Sequence, residues 1–245
     1  MKKIMTLLIL VAFCLNALGQ RGNSGRAFNV GQGSNGLGSS NNFLSIRAGN
    51  SGKWVKQTKN EELTGSVYLF DDWNNRGVIY SNDGKGYKLD GLNLNLELNR
   101  LEAKFEDKSK NSVYAFDPES VKKATIGNKV VKRIRLSDKE GEFFLEELSI
   151  NDKVGFYKLY SVSIKYARLN PMTQKKMGNN QYIKEETYYI EFNGRGLEAI
   201  ELKKSKILNK LKDKKEKVKK FIKENKLNVK EENDFIKLLN YYSSL

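Results

Sequence analysis

The sequence predicts a mainly β protein: antiparallel sheets, a sandwich or curved meander of about ten strands, followed by a short C-terminal α-helical segment. Three observations predict it. Apolar residues alternate with polar ones from Ser66 to Leu202, the period of a half-buried strand. Tight-turn pairs such as Asn193-Gly194 punctuate that stretch. After Leu202 the apolar spacing changes to three and four residues, the period of a helix.

Taken in order, Val67 to Phe70 and Val78 to Tyr80 read as short strands. Asn82-Asp83-Gly84 reads as a turn ahead of Tyr87 and Leu89. Leu92, Leu94, Leu96 and Leu98 alternate with Asn93, Asn95 and Glu97, which predicts a half-buried strand. Leu101, Ala103 and Phe105 repeat the pattern after a turn at Asn99-Arg100. Val113 to Phe116, Val121 to Ile126, Val130 to Leu136 and Phe143 to Ile150 follow, with Gly127-Asn128 joining the second and third. A long strand places Phe156, Tyr160, Val162, Ile164 and Tyr166 on one face. A polar loop from Ala167 to Gln181 separates it from a hairpin of Tyr182 to Phe192 and Leu197 to Leu202.

The segment 203–245 carries Ile207, Leu208 and Leu211, then Val218, Phe221 and Ile222, then Phe235, Leu238, Leu239 and Tyr242. Each set forms one face of a short helix. Asp213 with Glu216, and Asn228 with Glu231, have capping-box spacing. The segment holds 14 Lys against 6 acids, so the expectation is apolar faces packed on the β domain with lysines toward solvent.

The first residues read as a secretory signal peptide over 1–19: Lys2 and Lys3, an apolar run from Ile4 to Leu15, and Ala17-Leu18-Gly19 as a cleavage site. Cys14 would be the lipidated residue of a lipoprotein, but Phe13 stands where that processing needs a small side chain. Residues 20–60, rich in Gly, Ser and Asn, read as a flexible leader. Its Gly31-Gln32-Gly33-Ser34-Asn35-Gly36 matches the dinucleotide fingerprint in letters but lacks the flanking strand and helix. The β domain is expected over 61–202.

Composition removes much chemistry. The chain has no His, and its one Cys lies inside the signal. That excludes Ser-His-Asp and Cys-His catalysis and thiolate or imidazole metal sites in the mature protein. No cofactor is expected. The formal charge of +15 fits either solvated lysines or an anionic surface. The Lys-rich segment lacks Arg, the usual base reader, so nucleic acid is not an expected partner. Nor is an integral membrane protein expected, since no later stretch is long and apolar enough to span a bilayer.

The surface-site candidates are Asp71, Asp72 and Trp73. Two carboxylates beside an indole suit glycoside hydrolysis, but neighbours on a strand point to opposite faces, so closing a turn is the plainer role. Asp72, Asn74 and Asn75 are oxygen-rich, yet the EF-hand spacing is missing. Trp54, Trp73, Tyr188 and Tyr189 suit a sugar-stacking platform or, more simply, a core.

Three stretches, Val67 to Trp73, Tyr114-Ala115-Phe116 with Pro118 after it, and Asp234 to Leu245, give the chain a resemblance to a group of uncharacterised exported proteins of Bacteroidota bacteria. The resemblance covers most of the chain after the leader and is one of sequence flavour, so it implies export into a Gram-negative envelope and transfers no site residues. The expected function is therefore that of an exported, non-catalytic protein of the periplasm, outer membrane surface or secreted fraction. It would bind an envelope protein, a glycan or an anionic surface. The rival expectation is a carboxylate-dependent, carbohydrate-active hydrolase.

Overall fold

A computed structural model describes residues 51–57, 62–105 and 112–245. The predicted signal peptide, most of the leader and the glycine-rich fingerprint lie outside the described residues. The fold is mainly β, as the alternation predicts. A four-stranded antiparallel sheet holds β1 (Gly52–Lys56), β7 (Ser112–Phe116), β6 (Arg100–Ala103) and β5 (Leu92–Asn95), in that order. A nine-stranded sheet runs β15 (Leu197–Ile200), β14 (Asn180–Phe192), β11 (Val154–Lys165), β10 (Glu142–Ile150), β9 (Lys129–Arg135), β8 (Val121–Ile126), β3 (Gly77–Ser81) and β4 (Gly86–Leu89). Its ninth strand, β2 (Leu63–Thr64), pairs in parallel with β14. β12 (Arg168–Leu169) and β13 (Lys176–Met177) form a separate two-stranded ribbon. Three helices end the chain: α1 (Lys204–Lys210), α2 (Lys215–Glu224) and α3 (Glu232–Ser244).

Local chemistry accounts for the meander from β8 to β15. Asn193 and Gly194 both take positive φ, 50° and 71°, at the centre of a turn that Arg195 N closes on the Phe192 carbonyl (3.1 Å), the conformation Asn-Gly favours. Gly196, also at positive φ, completes the loop to β15. The ribbon of β11 and β14 then pairs without interruption from Val154↔Phe192 to Lys165↔Gln181.

One face of the large sheet is covered twice. At one end the small sheet packs on it, with Leu92, Leu94, Leu101 and Phe116 meeting Ile79, Ala124, Val131 and Phe144. The two sheets approach closely at Gly77, where an added Cβ would lie 2.6 Å from Leu92 of the small sheet. At the other end the helices bury Ile207, Leu211, Val218, Ile222, Phe235 and Leu238 against Val154, Phe156, Ile190 and Ile200. The helix faces are thus packed on the β domain, as their spacing predicts. On the reverse face, Leu145, Tyr157, Leu159, Tyr189 and Leu197 gather with Leu136. The chain after β9 folds over them: Ser137 Oγ donates to the Leu197 carbonyl (3.0 Å) and Tyr189 donates to Asp138 (3.1 Å).

An ionic seam separates the two apolar regions. Phe156, Lys158 and Tyr160 share a face of β11 by alternation; Phe156 lies under the helices and Tyr160 under the small sheet. Between them Lys158 is 4% exposed and pairs with Glu232 of α3 and with Glu186 (3.4 Å). Beside it, Tyr160 donates to Glu146 (2.6 Å), which also pairs with Lys129 (3.0 Å).

Several sequence expectations need correction. Gly52–Lys56, assigned to the leader, form β1, because Trp54 finds Phe105 and Tyr114 (5.6 Å each) and gains apolar cover that the flanking Gly and Ser cannot offer. Val67 to Phe70 are not a strand. They form a strap held by one bridge, Tyr68↔Asn95, and by backbone bonds to Leu94 and Leu96. The Leu92 strand stops at Asn95, because the Asn95 side chain accepts from Leu98 N (3.0 Å) and turns the chain. Neither capping box forms. Asp213 instead accepts the Tyr242 hydroxyl (3.0 Å), and Asn228 N donates to Asp234 (2.9 Å). Within the predicted polar loop, β12 and β13 pair.

Seven of the described tyrosines resist ionisation; in Tyr182 the causes are desolvation and the charge of Glu97. Burial first, then a neighbouring carboxylate, pushes Tyr157 (Glu191), Tyr189 (Asp138) and Tyr242 (Asp213) up to about 12. Tyr68, Tyr160 and Tyr188 are pushed higher by the same causes. A raised folded-state value keeps the proton on the native protein while the unfolded chain releases it. This contribution to stability is whole below pH 10 and is lost as pH rises from 10 to about 12. Alkaline titration is expected to show phenolate absorbance from these residues appearing in one step with loss of near-ultraviolet circular dichroism. Gradual ionisation of all the tyrosines near pH 10, with the fold intact, would contradict the burial described.

Candidate binding cleft

Along β5 and β6 the leucines and Ala103 face the large sheet, which leaves Asn93, Asn95, Arg100 and Glu102 on the opposite face. Alternation alone would put these four in water. The strap 66–73 roofs them instead. Asn93, with no exposed surface, holds the strap: its amide donates to the carbonyls of Phe70 (2.9 Å) and Asp72 (3.0 Å), and its oxygen accepts from Phe70 N (3.2 Å).

Under the strap lies a cleft of about 600 Å³, within the range of small-ligand sites. β1 supplies Val55 and Lys56, β6 supplies Arg100 and Glu102, β14 supplies Tyr182, and the strap supplies Tyr68 and Asp71. Glu102 is 1% exposed and is the electrostatic centre. Three donors converge on its carboxylate: Arg100 Nε (2.7 Å), Asn95 Nδ2 (3.2 Å) and the Tyr68 hydroxyl (2.6 Å). Gln57 in turn donates to Tyr68 (2.8 Å). Burial and the Glu102 carboxylate push the Tyr68 phenol well above its ordinary value, so it stays protonated and keeps donating.

The three surface-site candidates divide. Asp71 is exposed, lines the cleft and pairs with Lys184 (2.7 Å). Asp72 closes a turn, accepting from Asn74 N (2.9 Å) while its carbonyl takes the Asn75 amide (3.0 Å). That use of Asn74 and Asn75 also accounts for the oxygen-rich run weighed for calcium. Trp73 packs edge-on against Tyr68 (4.8 Å) with Lys104 over its ring (5.1 Å). The aromatic platform does not assemble: Tyr189 lies in the reverse-face core, Tyr188 packs under the helices and Trp54 packs on the small-sheet core.

Sequence reasoning missed Tyr68, Asn95, Arg100 and Glu102. Each sits at the polar phase of an alternating strand or in an apolar-looking run, where nothing local marks a residue as roofed. The one available signal was chemical: two asparagines and an Arg-Glu pair at that phase, in a chain whose cations are mostly lysine.

Fold and cleft together define a β-sheet protein with a preorganised polar cleft and a helical flank. Comparison of the chain with protein families, with curated proteins and with solved structures finds no match. Among the described residues, no helix is long and apolar enough to cross a membrane.

Proposed function

We propose that this is an exported envelope or secreted protein that acts by binding, and that its ligand is a glycan held in the strap-covered cleft. The observation that carries this reading is the saturation of Glu102. Its three donors leave the carboxylate fixed as a structural anion, while Tyr182, Lys56, Asp71 and Glu97 line the cleft around it. Aromatic faces beside hydroxyl-matching polar groups are the chemistry that recognises sugars. The signal-like segment 1–19 supports the location.

A second reading, a carboxylate-dependent hydrolase, draws on Asp71, Glu97 and Glu102 lining one cleft. One experiment separates the two. The protein is incubated with a panel of envelope and matrix polysaccharides, and both retention and release of reducing ends are measured. Binding without hydrolysis is expected, and Tyr182→Ala should weaken it at least tenfold with little change in melting temperature. Release of reducing ends that Asp71→Asn and Glu97→Gln abolish would establish the hydrolase. Absence of retention on every polysaccharide would overturn the glycan reading.

A further inference from the structure

Beyond the contacts of β14 residues 180–184 with β2, the cleft and the strap, the end of the β11–β14 ribbon projects as an arm. From Ser163 through Lys184 no residue is buried. At about 3.3 Å per residue, the rise from Lys165 to Asn170 is roughly 17 Å. The arm ends in the β12–β13 ribbon and a turn fixed by Asn170, whose side chain accepts from Met172 N (2.9 Å) and Thr173 N (3.1 Å). Gln174 N closes the turn on the Asn170 carbonyl (2.8 Å). A turn so bonded presents its apex without further ordering.

What it presents is apolar. Met172 is 94% exposed, Tyr166 72%, Met177 63% and Leu169 53%. Single exposed apolar residues need no explanation, but these four share one tip. The arm's own charges have one sign. No acid occurs between Asp152 and Glu185. Lys176 pairs with Glu62 (3.7 Å), while Lys165, Arg168 and Lys175 have no carboxylate partner among the described residues.

An apolar apex inside a basic collar matches the boundary of an anionic bilayer, where side chains enter the acyl region and cations meet headgroup phosphates. A soluble polyanion would use the collar and leave the apex idle. We propose that the hairpin tip, Tyr166 to Met177, docks on the surface of an anionic phospholipid membrane. This is independent of the cleft and of its ligand.

The test is co-sedimentation of the protein with vesicles of equal parts phosphatidylethanolamine and phosphatidylglycerol, and with pure phosphatidylcholine, at low and high salt. Retention is expected on the anionic vesicles and at least tenfold less on the neutral ones. Leu169→Ser with Met172→Ser should weaken retention about tenfold or more. Lys165→Gln, Arg168→Gln and Lys175→Gln together should weaken it about a hundredfold at low salt, roughly fivefold per charge. Both variants should melt as the parent does, since every changed side chain is exposed. The proposal is overturned if tip variants bind like the parent while Lys-to-Gln changes in 203–245 abolish retention. It is also overturned if soluble polyphosphate binds as tightly as the vesicles, or if vesicles retain nothing and an acidic protein captures the tip instead.

Discussion

A chain ending at Leu202 is expected to aggregate, or to melt far below the full protein. Without 203–245, the ends of β11, β14 and β15 lose the cover of Ile207, Leu211, Val218, Ile222, Phe235, Leu238 and Leu239. Each large apolar side chain returned to water costs about 1.5–3 kcal/mol, and a domain has only about 5–15 kcal/mol in all. Lys158 would also lose Glu232, one of its two carboxylate partners. A finer probe is Phe235→Ala. Phe235 is fully buried and meets Phe156 edge-on at 4.9 Å, so the change should cost about 3–5 kcal/mol. Thermal melting of both forms checks this. An unchanged melting temperature and a soluble monomer after truncation would mean that the lysine-rich segment is a solvated arm and that its apolar faces contribute nothing.

Glu102→Gln is expected to be nearly as damaging as Glu102→Ala, despite its matching shape. All three partners of Glu102 donate: Arg100, Asn95 and Tyr68. A carboxylate accepts from all of them, whereas half of an amide is itself a donor. Arg100, its side chain 22% exposed, would lose the charge of its partner, and an amide nitrogen in place of Oε2 would face the Tyr68 hydroxyl, which donates there now and already accepts from Gln57. Lost charge-assisted bonds and a buried polar mismatch should together cost about 3 kcal/mol. For a chain of this size that lowers the melting temperature by about 6–12 °C. A Gln variant that melts with the parent would show that the cleft tolerates a neutral centre and that Glu102 is not what holds it. The Ala variant provides the reference for complete loss of the acceptor.

These two outcomes differ in how visible they were beforehand. The helix faces were legible because Phe235, Leu238, Leu239 and Tyr242 recur at a spacing that only a helix brings together. The cleft was not, because Glu102 follows Leu101 and precedes Ala103 like any outward residue of a half-buried strand. Asp71, Asp72 and Trp73 attracted notice as a cluster, yet one lines the cleft, one closes a turn and one packs on Tyr68.

The sequence by itself determined what short-range physics controls. Alternation placed Ile79, Ala124 and Phe156 inside, Asn193-Gly194 set the last hairpin, and the apolar spacing after Leu202 set the helices. The tertiary structure alone decided where strands without local marks would go. Gly52–Lys56 join the small sheet because Trp54 finds a core more than 50 residues away. Val67 to Phe70 become a strap because Asn93, 23 residues from Phe70, holds their backbone. A polar side chain is dry or wet according to what folds over it, and that cover comes from residues distant in the chain, which no window of local sequence contains.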